Sequence, residues 1–452
     1  MQKSDKEIFP LDTVRNDLQN RDKNLRLEAA SRIGRAVQDG RLQRTVLEEV
    51  NNHVHTTYSF SPYEPAAASF AAWESGLGIV GSIDHDSIGA AREMLDASAR
   101  IGIASTVGFE VRTGFLDSPF ADKKINNPDS PGIVYMCVHG VPARHIDAVN
   151  EFLLPIREIR NARNRAQVSA LNDLITVNGL EPLDFDRDVV PLSRWHDGGS
   201  ITERHILHAC AARIMSMVPA GAELVSFLEQ NLNITVTGKV RSFLSDSTNP
   251  HYQYDLLGVL KSSYLPRFFI QPDRDETVDA RTVVAFARSI GAIPAYAYLG
   301  DIAESITGDK KAEKFEDDFL DELVAYLAEI GFPAITYMPP RNTKRQMERL
   351  QGLCRAHGLM EISGVDINSS RQSFNCPEML DPGCVHLVDS AWALVAHEKL
   401  TEYSNEWDLF SLNNPLAKVP LEQRISSYAD LGRRMDPFNP ESIIDEAKRV
   451  LN

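Results

Sequence analysis

The sequence predicts an α/β domain, a closed or nearly closed barrel of mainly parallel strands with a helical insertion and helical extensions at both ends. Three observations carry this. Short apolar segments alternate with helical patterns of about 10 to 15 residues, from 48 to 144 and again from 261 to 390. Between 145 and 260 the alternation gives way to helical patterns with little strand signal. Hydrophobic residues make up 43% of 452 positions, enough to bury a sizeable core.

The elements follow in order. Ala30, Ile33 and Val37 recur on one helical face and Gly40 ends it, so residues 1–47 read as a helical N-terminal extension. A strand through Val50–Val54 follows. Ser61-Pro62 opens a helix that Gly76 terminates. GIVGSI (78–83) is a second strand, followed by a helix from Ile88 to Arg100. IASTVGFEV (103–111) and GIVYMCV (132–138) are the third and fourth strands. The insertion, 145–260, holds long helical patterns that would form a lid. Its arginine-rich run from 156 to 165 reads as a solvated helix face. The alternation then resumes: helix 279–289 and GAIPAYAYL, helix 312–330 and PAITYM, helix 343–357 and GLMEISGVD. These make seven or so strand–helix units. Residues 391–452 read as a helical C-terminal extension.

The bulk numbers exclude several classes. A net charge of −16 argues against broad binding to nucleic-acid backbone or anionic membrane, while leaving room for a local basic pocket. No run approaches the length of a membrane span and the first residues show no apolar leader, so a cytoplasmic location is expected. The five cysteines form no CxxC pair, which suits reduced, buried thiols and gives no support to a zinc ribbon.

The chemistry is concentrated at predicted strand ends. His53 and His55 sit two apart on a strand, so both imidazoles face the same way and can reach one ion. Asp84, His85 and Asp86 end the second strand, Glu110 the third, and Asp366 the last. In a βα barrel those ends converge on one face, where sites are housed. Singly, Asp84, Asp86 or Asp366 could be a helix cap; their coincidence with the His pair points to a metal. Two His and two carboxylates suit Zn, Mn or Fe. Such an ion activates water, with Asp84 or His85 to move the proton. An anionic substrate also needs cations. Arg204 and His205, at the start of a predicted helix, and Arg112 and Arg341 are candidates. His145, His208 and His397 fall on helices and read as ordinary structural residues.

The segments NNHVHTTYS, SIDHDSIGAA, VGFEV and SGVDIN resemble, in order and spacing, the motifs of the PHP (polymerase and histidinol phosphatase) family, and GGSITERHILHACAARI resembles that family's G-R-P-H-type helix start, which makes Arg204 and His205 the leading cationic pair. The resemblance spans about residues 48 to 370. It implies a distorted (β/α)7 TIM-like barrel, up to three metal ions, and hydrolysis of a phosphate ester. Carried over by position, the first ion would take His53, His55, Glu110 and Asp366. The second would share Glu110 and use two positions occupied here by Tyr135 and Tyr298. The third would use Phe60 or Ser61, His85 and Asn368. Neutral tyrosine is a poor ligand. The expectation is therefore one tight divalent site, with at most a weak one near Asp84, His85 and Asn368. His139 is the substitute donor if its strand end shifts.

The leading expectation is a phosphoesterase acting on a small phosphorylated metabolite or nucleotide. A nuclease using the same site needs a basic groove that the charge disfavours. A ligand-binding protein without turnover is the reading from a different class, prompted by the lost ligands. An amidohydrolase shares the H-x-H signal, but its later Lys and His ligands are not evident at the strand ends.

Overall fold

A computed structural model describes residues 9–302 and 314–451. Seven strands form one mixed, curled sheet in chain order: β1 (Val50–Val54), β2 (Ile79–His85), β3 (Ala104–Gly114), β4 (Ile133–His139), β5 (Ile293–Ala297), β6 (Ala334–Tyr337) and β7 (Met360–Ser363). β1 to β3 are mutually parallel, as are β5 to β7. β4 runs antiparallel to both its neighbours. The fourth strand therefore departs from the parallel expectation. A parallel return needs a crossover, usually a helix, and residues 115–132 between β3 and β4 contain none. The outer strands are tied across the curl. The His55 amide donates to the Ile367 carbonyl at 2.9 Å, the Ile367 amide to the His53 carbonyl at 3.1 Å, and the Asn52 side chain to the Ser363 carbonyl at 3.0 Å.

Every residue of β1 and β3 is buried, because helices cover one face while inward side chains fill the other. Helix Ala91–Ile101 shows how the covering layer is specified. Met94, Ala97 and Ile101 line its buried face. Gly102 stops it in the left-handed region at φ 86°, with its amide on the Ser98 carbonyl. The helix expected from Pro62 begins instead at Pro65, with Glu64 extended ahead of it. Proline at the first helical position forfeits no hydrogen bond. Of the helix expected from 312, the beginning lies outside the described residues and Leu320–Glu329 is helical. The N-terminal helix Lys23–Gln38 is anchored by Arg26, whose buried guanidinium meets both carboxylate oxygens of Glu93 at 2.7 and 2.5 Å.

Between β4 and β5 lies a helical region with its own hydrophobic core, including Leu171, Ile206, Leu224, Leu256 and Tyr264. The 30-residue helix Ile146–Ile175 joins it to the sheet. Ile146, Val149 and Leu153 belong to the main core, and Val168, Leu171 and Ile175 to the second. C-terminal helices His386–Tyr403, Leu421–Arg434 and Ile443–Val450 pack back on the main core. All five cysteines are free and buried. Among the described residues no single helix is long and apolar enough to cross a membrane.

Candidate metal centre

Four side chains distant in sequence meet where β1, β3 and the segment after β7 come together. His53 Nε2 and His55 Nε2 are 3.2 Å apart. Glu110 Oε2 lies 3.7 Å from the first and 3.8 Å from the second, and Asp366 Oδ1 lies 3.1 Å from His55 Nε2. Metal–ligand distances of about 2.0–2.1 Å put the donor atoms of a tetrahedral zinc site about 3.3–3.4 Å apart. His53, His55 and Asp366 form one group whose donors suit a divalent cation in chemistry and spacing, and Glu110 groups with His55 and His85 or with His53 and Cys137. Gly364 permits the approach: a Cβ there would lie 2.6 Å from His53 Cβ and 2.7 Å from its backbone nitrogen.

The carboxylates suit a cation, whereas burial of His53 is overridden by Cys137 and Glu110, which hold it well above the usual imidazole range. Burial alone would raise the Glu110 carboxyl, but His85 and His53 beside it hold it well below the usual carboxylate range. Burial likewise opposes the charge on Asp366, and His55 overrides it. Burial pushes His55 down, towards the neutral imidazole that a metal requires.

The surrounding residues sort by position. His85 Nδ1 lies 3.1 Å from Glu110 Oε2, at hand for the same ion or a neighbouring one, and its side chain is 27% exposed. Asp84 takes a different place from the one expected. Its carboxylate is buried and accepts from the Thr56 amide (2.7 Å), the Thr56 hydroxyl (2.6 Å) and Ser59 (2.6 Å). Ser59 in turn contacts His55 Nδ1 at 3.2 Å, so Asp84 orients a ligand through a hydroxyl and does not face the cavity. Cys137, which sequence reasoning passed over, lies 3.9 Å from His53 Nδ1 and forms a possible donor group with His53 and Glu110. The antiparallel register sets Cys137 opposite Glu110 and Tyr135 opposite Arg112, one inward step higher. His139 is two residues beyond Cys137 and is no part of a donor group among the described residues. Both its ring nitrogens are unpartnered, and burial pushes it down to about 3.

Tyr135 and Tyr298 both line the cavity. Burial raises both phenols, and Tyr298 is raised further by donating to Asp317 at 2.5 Å. Neither is poised to become a phenolate ligand. Asn368 donates to Asp366 Oδ1 at 2.7 Å and so holds a ligand.

A cavity of about 990 Å³ opens above the four donors. Arg204, in the first turn of helix Glu203–Met217, lines it, and its charge helps keep Asp366 ionised. Among the described residues no carboxylate lies within ion-pairing distance of Arg204. Its neighbour His205 does not line the cavity. It closes the helix start, its Nδ1 accepting from the Thr202 amide at 3.0 Å, and burial lowers it to about 3. Arg341 lines the cavity too, with Nε on the Leu299 carbonyl.

The arginine run of the insertion is not a solvated face. Arg157, Arg160 and Arg163 are buried, and only Arg165 in the run is exposed, paired with Asp186. Arg160 pairs with Asp86 and, at 2.9 Å, with Glu203. Arg163 meets Glu203 at 2.9 Å and Glu276 at 2.5 Å. Arg112 from β3 meets Glu203 at 3.1 Å. Burial would raise Glu203, and Arg112, Arg160 and Arg163 drive it well below its usual range. Arginines three apart share a helix face; the sequence gives no sign that their partners are Asp86, Glu203 and Glu276.

Fold and site together define an α/β protein with a candidate divalent-metal centre at its strand ends. No protein-family model matches the chain, and no curated protein matches it. Among solved structures it is similar to a candidate metal-dependent phosphoesterase from Bifidobacterium adolescentis, with 18% identity over 76% of this chain and 96% of that one and a TM-score of 0.48. It is also similar to an amidohydrolase from Chromobacterium violaceum holding sulfate and no metal, with 17% identity over 74% and 93% and a TM-score of 0.49.

Proposed function

We propose that this protein is a metal-dependent hydrolase of a small phosphate ester, with one tightly held divalent ion. The observation that carries the reading is the clustering of His53 Nε2, His55 Nε2 and Asp366, with Glu110 Oε2 3.7 and 3.8 Å from the two imidazoles, at the base of a large cavity. Those four residues would hold the ion. When bound, it supplies Lewis acidity towards a phosphoryl oxygen and a water of lowered pKa. Arg204 supplies a guanidinium suited to bidentate contact with phosphate. The amino end of helix Glu203–Met217 adds its dipole to that charge. His85, on the cavity wall beside Glu110, is placed to pass a proton to the leaving oxygen. Asp84 and Ser59 fix the His55 ring. The helical region between β4 and β5 contributes Arg204, Lys261 and Phe269 to the cavity wall and would act as the lid that excludes bulk water.

The test is hydrolysis across a panel of phosphomonoesters and phosphodiesters with added Zn or Mn. Turnover by the parent and none by His53→Ala is the expected result. Undiminished turnover in that variant overturns the reading. Release of mononucleotides from an oligonucleotide would reassign it to the nuclease class.

A further inference from the structure

The loop that carries Asp366 is gripped from outside the sheet. Arg371, five residues on, places Nε and Nη2 on the two oxygens of Asp255, each at 2.7 Å. Asp255 belongs to the insertion helix Tyr252–Phe268. Asn249 accepts from Arg371 at 3.2 Å and itself donates to Asp255 at 2.7 Å. The guanidinium lies over Phe243, 3.8 Å from the ring centre, and Ser370 contacts His251 Nδ1 at 2.8 Å. On the other side the loop is bonded to the donor. Gln372 gives its amide to the Asp366 carbonyl at 2.6 Å and receives the Asn368 amide at 2.8 Å, while Asn368 donates to Asp366 Oδ1. A planar fork on a carboxylate fixes direction as well as distance.

We infer that Arg371 and Asp255 are positioning residues of the metal centre: the insertion clasps the 368–372 loop and thereby sets the place of the Asp366 carboxylate. This rests on the metal-centre reading. It adds that the insertion takes part in holding the ion as well as covering the cavity. Asp366 is the ligand most in need of such support, since its side chain is 38% exposed whereas His53, His55 and Glu110 are packed into the sheet.

The measurement is Zn2+ affinity by competition with a chromophoric chelator, alongside the melting temperature of the metal-free protein. Groups that orient ligands typically cost about 10- to 100-fold in affinity when removed. Arg371→Met and Asp255→Asn are each expected to weaken Zn2+ by about tenfold or more. The metal-free melting temperature should move by less than about 2 °C for Arg371→Met, whose side chain is 33% exposed. The double variant should lose no more affinity than either single one, and the charge swap Arg371→Asp with Asp255→Arg should recover part of it. Unchanged affinity in both single variants overturns the inference, as does a double variant whose losses add. A parent that binds no Zn2+ overturns the metal-centre reading itself, and with it the inference.

Discussion

Two polar clusters grow from the same inward face of β3, two residues apart, and they are built to opposite electrostatic ends. Around Arg112 the charges close among themselves: the three guanidinium groups of Arg112, Arg160 and Arg163 meet the three carboxylates of Asp86, Glu203 and Glu276. Around Glu110 they do not. Glu110 and Asp366 are held ionised, while burial keeps His55 from taking a proton. The first cluster is complete without a ligand and joins the insertion to the sheet. The second sets two ionised carboxylates against one raised imidazole, His53, and so keeps an excess of negative charge that a divalent ion would neutralise. Buried ionic groups are therefore no sign of a site by themselves; the unbalanced sum is.

The comparison can be broken hardest at Glu203. Glu203→Gln takes the shared carboxylate from three buried arginines, which keep only Asp86 and Glu276, and should cost about 3–5 kcal/mol in denaturant unfolding, the usual penalty for removing one partner of a buried ionic assembly. At the other cluster the same chemistry should behave differently. Glu110→Gln should cost the metal-free protein much less, and what it removes is the response to metal. Zn2+ at about a hundred times its dissociation constant should stabilise the parent by about 2.7 kcal/mol and leave Glu110→Gln unmoved in thermal melts. A Zn2+ response that survives in this variant would separate the charge imbalance from metal binding.

A pH series sharpens the contrast by about 1.4 kcal/mol per pH unit. His205 titrates at about 3 in the folded protein against about 6.5 unfolded. Its folded value is depressed, so the unfolded chain takes up the proton first. The contribution is whole above pH 6.5 and is lost as pH falls towards 3. His205→Gln can keep the bond to the Thr202 amide and should flatten the fall in stability between pH 7 and 5. Equal slopes in parent and variant would assign the acid sensitivity elsewhere. The smallest effect belongs to the exposed end of the arginine run. Arg165→Ala should cost no more than about 1 kcal/mol, although Arg163, two residues earlier, lies inside the network. A loss comparable to that of Arg163→Ala would show that exposure is not what divides them.

How much of this was legible depends on the range of the interaction. His53 and His55 announce themselves because strand periodicity fixes both on one side, and Glu110 and Asp366 because strand ends gather on one face. Both rules need only local pattern. Asp84 misleads because its three donors lie in the loop after β1, at Thr56 and Ser59, and no spacing encodes that. Cys137 was invisible because its level beside Glu110 follows from an antiparallel register, which the absence of a crossover helix decides. The buried arginines fail for the same reason at longer range. Arg157, Arg160 and Arg163 share a face that charge alone marks as solvated, and the carboxylates that hold it inside lie 40 to 113 positions away.

The reversal of β4 also governs how the chain is threaded. Because that strand runs away from the cavity mouth, helix Ile146–Ile175 starts in the main core and climbs about 45 Å to reach the second. It is a strut shared by two bodies. Removing a single residue from its middle would turn everything beyond by about 100° and swing Arg160 and Arg163 off their partners. The length of this one rod is thus a measured quantity, and the insertion cannot be trimmed from the sheet without cutting through it.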